Sequence, residues 1–71
     1  MFNLALHGEI NGKEIILKPK DKIFISVSDE TGYIDNYMGN YITHKDDSLL
    51  MKVDKEEMWI KFADIEDIIL R

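Results

Sequence analysis

The second half of the chain alternates short apolar segments with polar turns, and this pattern constrains the fold more than any other feature. Residues 48–53 and 58–62 place an apolar side chain at every second position, which is the period of a half-buried β-strand. The segments around them are polar turns at 44–47 and 54–57, a single helical or 3₁₀ turn at 63–66 and a closing strand at 67–70. Short strands joined by tight turns are typical of a small antiparallel barrel. We therefore predict an all-β fold.

The first half of the chain predicts a hairpin and a further strand. Asn11-Gly12 is the pair that a type I′ turn favours, because both residues tolerate a positive φ. It separates predicted strands at 3–10 and 13–18. A loop around Pro19 follows, since proline cannot donate a hydrogen bond to a sheet, and the next strand covers 22–28.

Residues 33–44 admit two interpretations. As a long strand, the segment would bend at Gly39, because an interior glycine often marks a bulge or a sharp bend. As a short helix, it would align Tyr33, Tyr37 and Tyr41, which are four residues apart. The glycine and the β-branched and aromatic content favour the strand.

The whole chain of 71 residues is predicted to form one domain, because no Pro/Gly/Ser-rich linker divides it. Alternation assigns one face of each strand to the core. The predicted core is Leu4, Leu6, Ile16, Ile23, Ile25, Val27, Ile34, Ile42, Leu49, Met51, Val53, Ile60, Phe62, Ile65, Ile68 and Leu70.

Composition restricts the classes of function. The chain has no cysteine, and its net charge of −5 disfavours nucleic-acid binding, since phosphate backbones repel an acidic protein. No apolar run is long enough to span a bilayer, and the first residues lack the basic and apolar regions of a signal peptide. We therefore expect a cytoplasmic location and no membrane partner.

Several motifs resemble those of small β-barrels. The segment Lys18-Pro19-Lys20-Asp21-Lys22-Ile23 is similar to the loop that opens many SH3-like barrels. The pattern Gly39-x-x-Ile42-x-x-x-Asp46-x-x-x-Leu50, followed by a hairpin and Ala63-x-Ile65-x-x-Ile68, resembles the strand pattern of Sm-like proteins, which include the Hfq RNA chaperones. The resemblance covers about residues 22–70. It implies a small antiparallel SH3-like/Sm-like barrel carrying an extra N-terminal hairpin.

The resemblance leaves two kinds of partner open. Hfq-like proteins have a Lys-His pair near their last strand, whereas this chain has Lys61-Phe62-Ala63 without a histidine. Members of the Rof type resemble an Sm barrel in shape, are acidic, and bind a protein, the termination factor Rho. The resemblance therefore implies either a nucleic-acid partner or a protein partner.

Aromatic residues form the candidate protein-binding surface. Trp59 points away from Met58 and Ile60 in a strand, and with Leu50 on the neighbouring strand it would make an apolar patch. If the N-terminal hairpin covers this side, Trp59 belongs to the core instead. The row Tyr33, Tyr37 and Tyr41 would extend the patch, stack single-stranded bases or simply pack across strands. The acidic turns would form the rim of the patch.

The main hypothesis is thus a small non-enzymatic protein-binding or regulatory module with an aromatic and acidic surface. The alternative is an Sm-like binder of RNA or single-stranded nucleic acid. Exposed edge strands would also permit a homo-oligomer. The alternative would depend on a local basic patch made of Lys13, Lys18, Lys20 and Lys22.

No pattern predicts catalysis, a cofactor or a metal. His44 precedes Asp46 and Asp47, and Asp35 could lie nearby, but a polar turn accounts for these residues without a metal ion. Serines 26, 28 and 48 lack a nucleophile motif, and no phosphate-binding glycine loop is present.

Overall fold

The computed structural model describes residues 5–10 and 12–71. Within these residues the regular structure is antiparallel strand apart from one short 3₁₀ turn, so the predicted all-β class is confirmed. The elements are β1 (Leu6–Ile10), β2 (Lys13–Leu17), β3 (Lys22–Ser28), β4 (Ile34–His44), β5 (Ser48–Val53), β6 (Glu56–Lys61), the 3₁₀ turn (Phe62–Asp64) and β7 (Ile65–Leu70).

The strands form two sheets. β1 and β2 make the predicted hairpin; Asn11 lies outside the described residues, and Gly12 has a φ of +78°. The other strands make a five-stranded sheet in the order β6-β5-β4-β3-β7. The strand interpretation of the long central segment is confirmed, because β4 pairs with β3 on one side and β5 on the other.

The large sheet does not close into a barrel. β6 and β7 are its two edges, and the described residues show no ladder between them. The 3₁₀ turn carries the chain from one edge strand to the other. The sequence predicts this turn at 63–66, whereas it spans Phe62–Asp64, so β7 begins at Ile65 and not at residue 67. The antiparallel sheet is therefore present without the predicted closure.

β4 departs from regular geometry at two places. A Cβ on Gly39 would overlap the carbonyl oxygen of Lys52 and lie 2.9 Å from its carbon, so β5 approaches too closely for any other residue. Further along, Tyr41 pairs with Met51 while Thr43 pairs with Leu50. One extra residue in β4, Ile42, therefore forms a β-bulge.

The core lies between the inner face of the large sheet and the hairpin. It contains Ile15 and Leu17 of β2 together with residues from every strand of the large sheet. Of the predicted core residues, Ile23, Ile25, Leu49, Met51, Ile60, Ile65 and Ile68 are buried, and Leu6, Val27, Val53 and Phe62 are partly buried against them.

Four predicted core residues are placed wrongly, and Leu4 lies outside the described residues. Ile16 is exposed because Ile15 and Leu17, its neighbours on the opposite face of β2, point inward. Ile34 is exposed and Ile42 lies outside the core because, before the bulge, alternation directs Tyr37 and Tyr41 of β4 to the core instead. Leu70 is exposed because it ends an edge strand.

Candidate interaction surface on the sheet

The large sheet has a buried inner face and an exposed outer face. Residues paired directly across neighbouring strands project from the same face. Ile25 pairs with Tyr37 on one side and Ile68 on the other, and this row faces the core. The next residue in β3 must therefore project outward together with its own partners.

An apolar triplet lies on the outer face. Phe24 pairs with Met38 of β4 and with Ile69 of β7, so the three side chains lie side by side across three strands. Met38 is 42% exposed and Ile69 is 39% exposed, while Phe24 between them is half-buried. Contiguous exposed apolar side chains of this kind make the triplet a candidate interaction site.

The tryptophan pair, Trp59 and Leu50, lies on the same outer face. The two residues pair directly across β6 and β5. Trp59 is 49% exposed, so the hairpin does not cover it and the core interpretation of this residue is wrong. Nζ of Lys45 lies 4.5 Å from the centre of the indole ring, within the range of a cation–π contact.

A basic row lies between the tryptophan pair and the apolar triplet. Lys22 pairs with Asn40, and Asn40 pairs with Lys52, which places both lysines on the outer face. The backbone N–H of Arg71 donates to the carbonyl oxygen of Lys22 at 2.8 Å and continues the row onto the end of β7. Neighbouring strands are about 4.8 Å apart, so Lys22 and Lys52 lie roughly 10 Å apart at their backbones.

The charges around Trp59 have both signs, so the predicted acidic rim is present only in part. The Trp59 ring contacts Lys45, and Lys61 follows two residues later on the same face of β6. Glu57, which pairs with Lys52, contributes a negative charge at the end of the basic row. The outer face therefore combines apolar residues and cations with the carboxylates of Glu57 and Asp67, and its cations outnumber these two carboxylates.

The predicted tyrosine row does not form one surface. Tyr33 is 64% exposed and precedes β4, Tyr37 is half-buried against the core, and Tyr41 is fully buried. Burial raises the pKa of the Tyr41 hydroxyl above its ordinary value. Tyr41 is therefore a core residue and does not contribute to a binding surface.

A carboxylate fixes the turn that presents Tyr33. Oδ1 of Asp29 accepts hydrogen bonds from the Thr31 backbone N–H at 2.8 Å, the Thr31 hydroxyl at 2.7 Å and the Tyr33 backbone N–H at 3.0 Å. These bonds lower the pKa of Asp29, the hydroxyl of Thr31 contributing most, because they stabilise the ionised carboxylate.

The lysines proposed from the sequence do not form a single patch. Lys18 and Lys20 lie in the loop before β3, next to Lys22. Lys13 lies away from these three lysines. Its Nζ is 3.3 Å from Oδ1 of Asp67. Asp67 pairs with Ser26, which is four residues from Lys22 along β3. Only Lys22 belongs to the basic row, and its partners there, Lys52 and Arg71, were not predicted.

Aromatic and acidic side chains lie together beside the turn between β5 and β6. An open groove of about 740 Å³ lies beside the β5–β6 turn, where Tyr37, Val53 and Met58 contribute apolar surface and Asp54, Lys55 and Glu56 contribute charge. A smaller concavity of about 250 Å³ lies between β1 and Phe62. It is mostly apolar and includes Ile10 and Ile15.

His44 contacts a tyrosine rather than the acidic turn. Its Nδ1 lies 2.8 Å from the hydroxyl oxygen of Tyr41. Among residues 5–10 and 12–71, no three His, Asp or Glu side chains are grouped closely enough to hold a metal ion. The same residues include no helix with the length and apolar character needed to cross a membrane.

The sequence alone predicts some of the residues on this surface. Alternation in β3 already directs Phe24 outward when Ile23 and Ile25 face the core, and Ile69 follows a core residue in the same way. Met38 and Lys52 cannot be assigned in this way, because their positions depend on the register of β4 with its neighbours.

The fold and this face define an antiparallel all-β protein with an exposed, mixed apolar and basic sheet surface. Comparisons with protein-family models, curated proteins and solved structures found no significant match. The function must therefore be argued from the surface itself.

Proposed function

We propose that the chain is a non-enzymatic protein-binding module that uses the outer face of its five-stranded sheet. The observation that carries the proposal is the exposure of Trp59 and Met38 on one face, with Phe24 half-buried between strands. Tryptophan, phenylalanine, methionine and arginine are enriched in the centres of protein–protein interfaces. This face carries all four residue types within five neighbouring strands.

The absence of catalytic motifs from the sequence favours binding over catalysis. Asp29 has a lowered pKa because it holds a surface turn, whereas a general acid needs a raised one. The pKa of Tyr41 is raised, but its side chain is fully buried in the core. Neither group is placed to act on a substrate.

We also propose that the large sheet is an opened SH3-like or Sm-like barrel. The support is its connectivity: four strands follow one another as a meander, and a 3₁₀ turn then carries the chain to a fifth strand beside the first. A barrel of this kind would be closed by contact between β6 and β7. Nuclear Overhauser contacts between backbone protons of these strands should therefore be absent in the opened form, and their presence would show a closed barrel instead.

Site-specific photo-crosslinking tests the binding function. A photoreactive benzoylphenylalanine replaces Trp59 or Met38 in cells, and the same residue at Tyr33, which is 64% exposed, serves as the control. We expect one shared crosslinked protein from the two outer-face positions and none from the control. Crosslinks from Tyr33 alone, with the variants folded, would contradict the proposal.

Binding of single-stranded nucleic acid is the second candidate, and the basic row is the observation that favours it. Lys22 and Lys52 are exposed on the same face as Phe24 and Trp59, and cations beside aromatic rings are a feature of single-strand binding surfaces. Titration of a labelled oligonucleotide at two salt concentrations decides this. Binding that weakens steeply with salt and is lost in Lys52→Glu would support it.

Self-association is a separate possibility that the edge strands allow. β6 pairs with β5 alone among the described residues, and an unpaired edge can accept another strand. Light scattering of the purified chain measures its mass and shows whether a second copy is bound.

A further inference from the structure

We propose that the partner segment recognised by the outer face is acidic, with apolar residues alternating with its carboxylates. This inference rests on the proposed protein-binding function and names the chemistry of the partner. It follows from how the basic row and the apolar triplet lie relative to each other.

The three cations of the basic row make no ion pair within the described part of the chain, although Glu57 lies opposite Lys52 on the neighbouring strand. The ion pair found in residues 5–10 and 12–71 joins Lys13 to Asp67. Lys22, Lys52 and Arg71 are exposed, and no carboxylate lies within ion-pair distance of them in that part. Exposed cations that make no ion pair and lie beside apolar surface favour a negatively charged partner, which gains electrostatic attraction as it approaches.

The apolar triplet runs parallel to the basic row. Lys22 and Phe24 are two residues apart on the same face of β3, and Asn40 and Met38 are related in the same way on β4. The two rows are therefore about 7 Å apart. An extended segment lying between them would direct alternate side chains to opposite sides, one set towards the cations and the other towards the triplet.

The same geometry favours a peptide over nucleic acid. Two members of the triplet, Met38 and Ile69, offer no ring on which a base could stack. One face of the Trp59 ring is already occupied by the Lys45 ammonium. The net charge of −5 also opposes a long polyphosphate more than a short acidic segment.

Three labelled probes of equal length test the inference by fluorescence anisotropy. The first is a peptide of alternating Glu and Leu, the second replaces Glu with Lys, and the third replaces Glu with Ser. We expect the Glu peptide to bind and the Lys peptide not to bind. Lys52→Glu and Lys22→Glu should each weaken the Glu peptide about tenfold, because each places a like charge against the partner.

Lys55→Glu is the matched control, because it makes the same charge change three residues from Lys52, in the β5–β6 turn. It should leave the affinity unchanged. Equal weakening by Lys52→Glu and Lys55→Glu would overturn the inference, since the effect would then reflect net charge alone. Absence of Glu-peptide binding would also overturn it.

Two further outcomes separate the inference from the function on which it rests. In the first outcome, the Ser peptide binds as tightly as the Glu peptide, and its binding is abolished by Phe24→Ser but not by Lys52→Glu. The face would then bind protein, and the proposed preference for acidic segments would be wrong. In the second outcome, labelled oligothymidylate binds more tightly than the Glu peptide, and Lys52→Glu abolishes that binding. The basic row would then be a nucleic-acid binding site. That result would overturn both the inference and the proposed function.

Discussion

The hydroxyl oxygen of Tyr41 lies 2.8 Å from Nδ1 of His44, although the two residues are three positions apart in one strand. In a regular strand, residues separated by an odd number project from opposite faces. Here Tyr41 pairs with Met51 and His44 pairs with Leu49, so β4 uses one residue more than β5 between the same two rows. The bulge at Ile42 thus places both side chains on the inner face.

This hydrogen bond should contribute measurably to stability. Replacing Tyr41 by Phe removes a hydroxyl while keeping the ring, and we expect a loss of about 1 kcal/mol in the free energy of unfolding. A double-mutant cycle with His44→Ala, followed by urea denaturation, should give a coupling energy of about the same size. Tyr33→Phe, at an exposed site, is the control and should change little. Strict additivity of the two substitutions would show that the bond is not formed.

Stability should fall at alkaline pH because of Tyr41. Burial raises the folded-state pKa of this phenol, whereas the unfolded chain ionises near pH 10. The unfolded state then holds fewer protons than the folded state, so the stabilisation is complete below about pH 10 and is lost as pH rises through the folded value. Denaturation midpoints between pH 8 and 11 should decline in the wild type and less in Tyr41→Phe. Identical declines would contradict this.

Gly39 and Gly8 provide a matched comparison. A methyl group on Gly39 would overlap the Lys52 carbonyl, and backbone cannot move away as a flexible side chain can. Gly39→Ala should therefore cost about 3 kcal/mol or more, the upper range for overpacking. Gly8→Ala meets no atom within 4 Å and should be nearly neutral. Similar thermal midpoints for both variants would show that β5 does not approach β4 this closely.

The turn held by Asp29 should respond to acid. Its pKa is lowered, so the turn's hydrogen bonds are formed above the ordinary carboxyl pKa of about 3.9 and are lost as pH falls through the lower folded value. In an NMR titration, the amide protons of Thr31 and Tyr33 should shift with a midpoint below 3.9. Asp29→Ala should abolish the shift, and Glu30→Ala should leave it intact. A titration midpoint at the ordinary carboxyl pKa would show that Asp29 does not accept these hydrogen bonds.

Strand positions could be predicted because their signals are local. Alternation at 48–53 and the polar turns depend on neighbouring residues, and the structure places β5 at those bounds. The face of a strand is harder to predict where apolar residues are consecutive. Ile15, Ile16 and Leu17 give no alternation, and the hairpin buries the outer two because they share a face.

The errors in β4 have a different cause. Ile34 and Ile42 share one face by alternation, and the structure buries the opposite face, which carries Tyr37 and Tyr41. The bulge then reverses the alternation for the residues after Ile42, and nothing in the local sequence marks Ile42 as the extra residue. Gly39 was a correct sign of irregular geometry, but the structure places the bulge three positions later. The basic row could not be predicted from the sequence either, because Lys22 and Lys52 come onto one row only through the pairing of β3, β4 and β5.

Collisional quenching of the Trp59 fluorescence tests the central claim most directly, since Trp59 is the only tryptophan in the chain. The free protein should be quenched readily by acrylamide, because half of this side chain is exposed on the outer face. Saturation with the partner crosslinked at Met38 should protect it. An indole already protected in the free monomer, or one equally quenched with the partner bound, would contradict the assignment of the outer face as the binding surface.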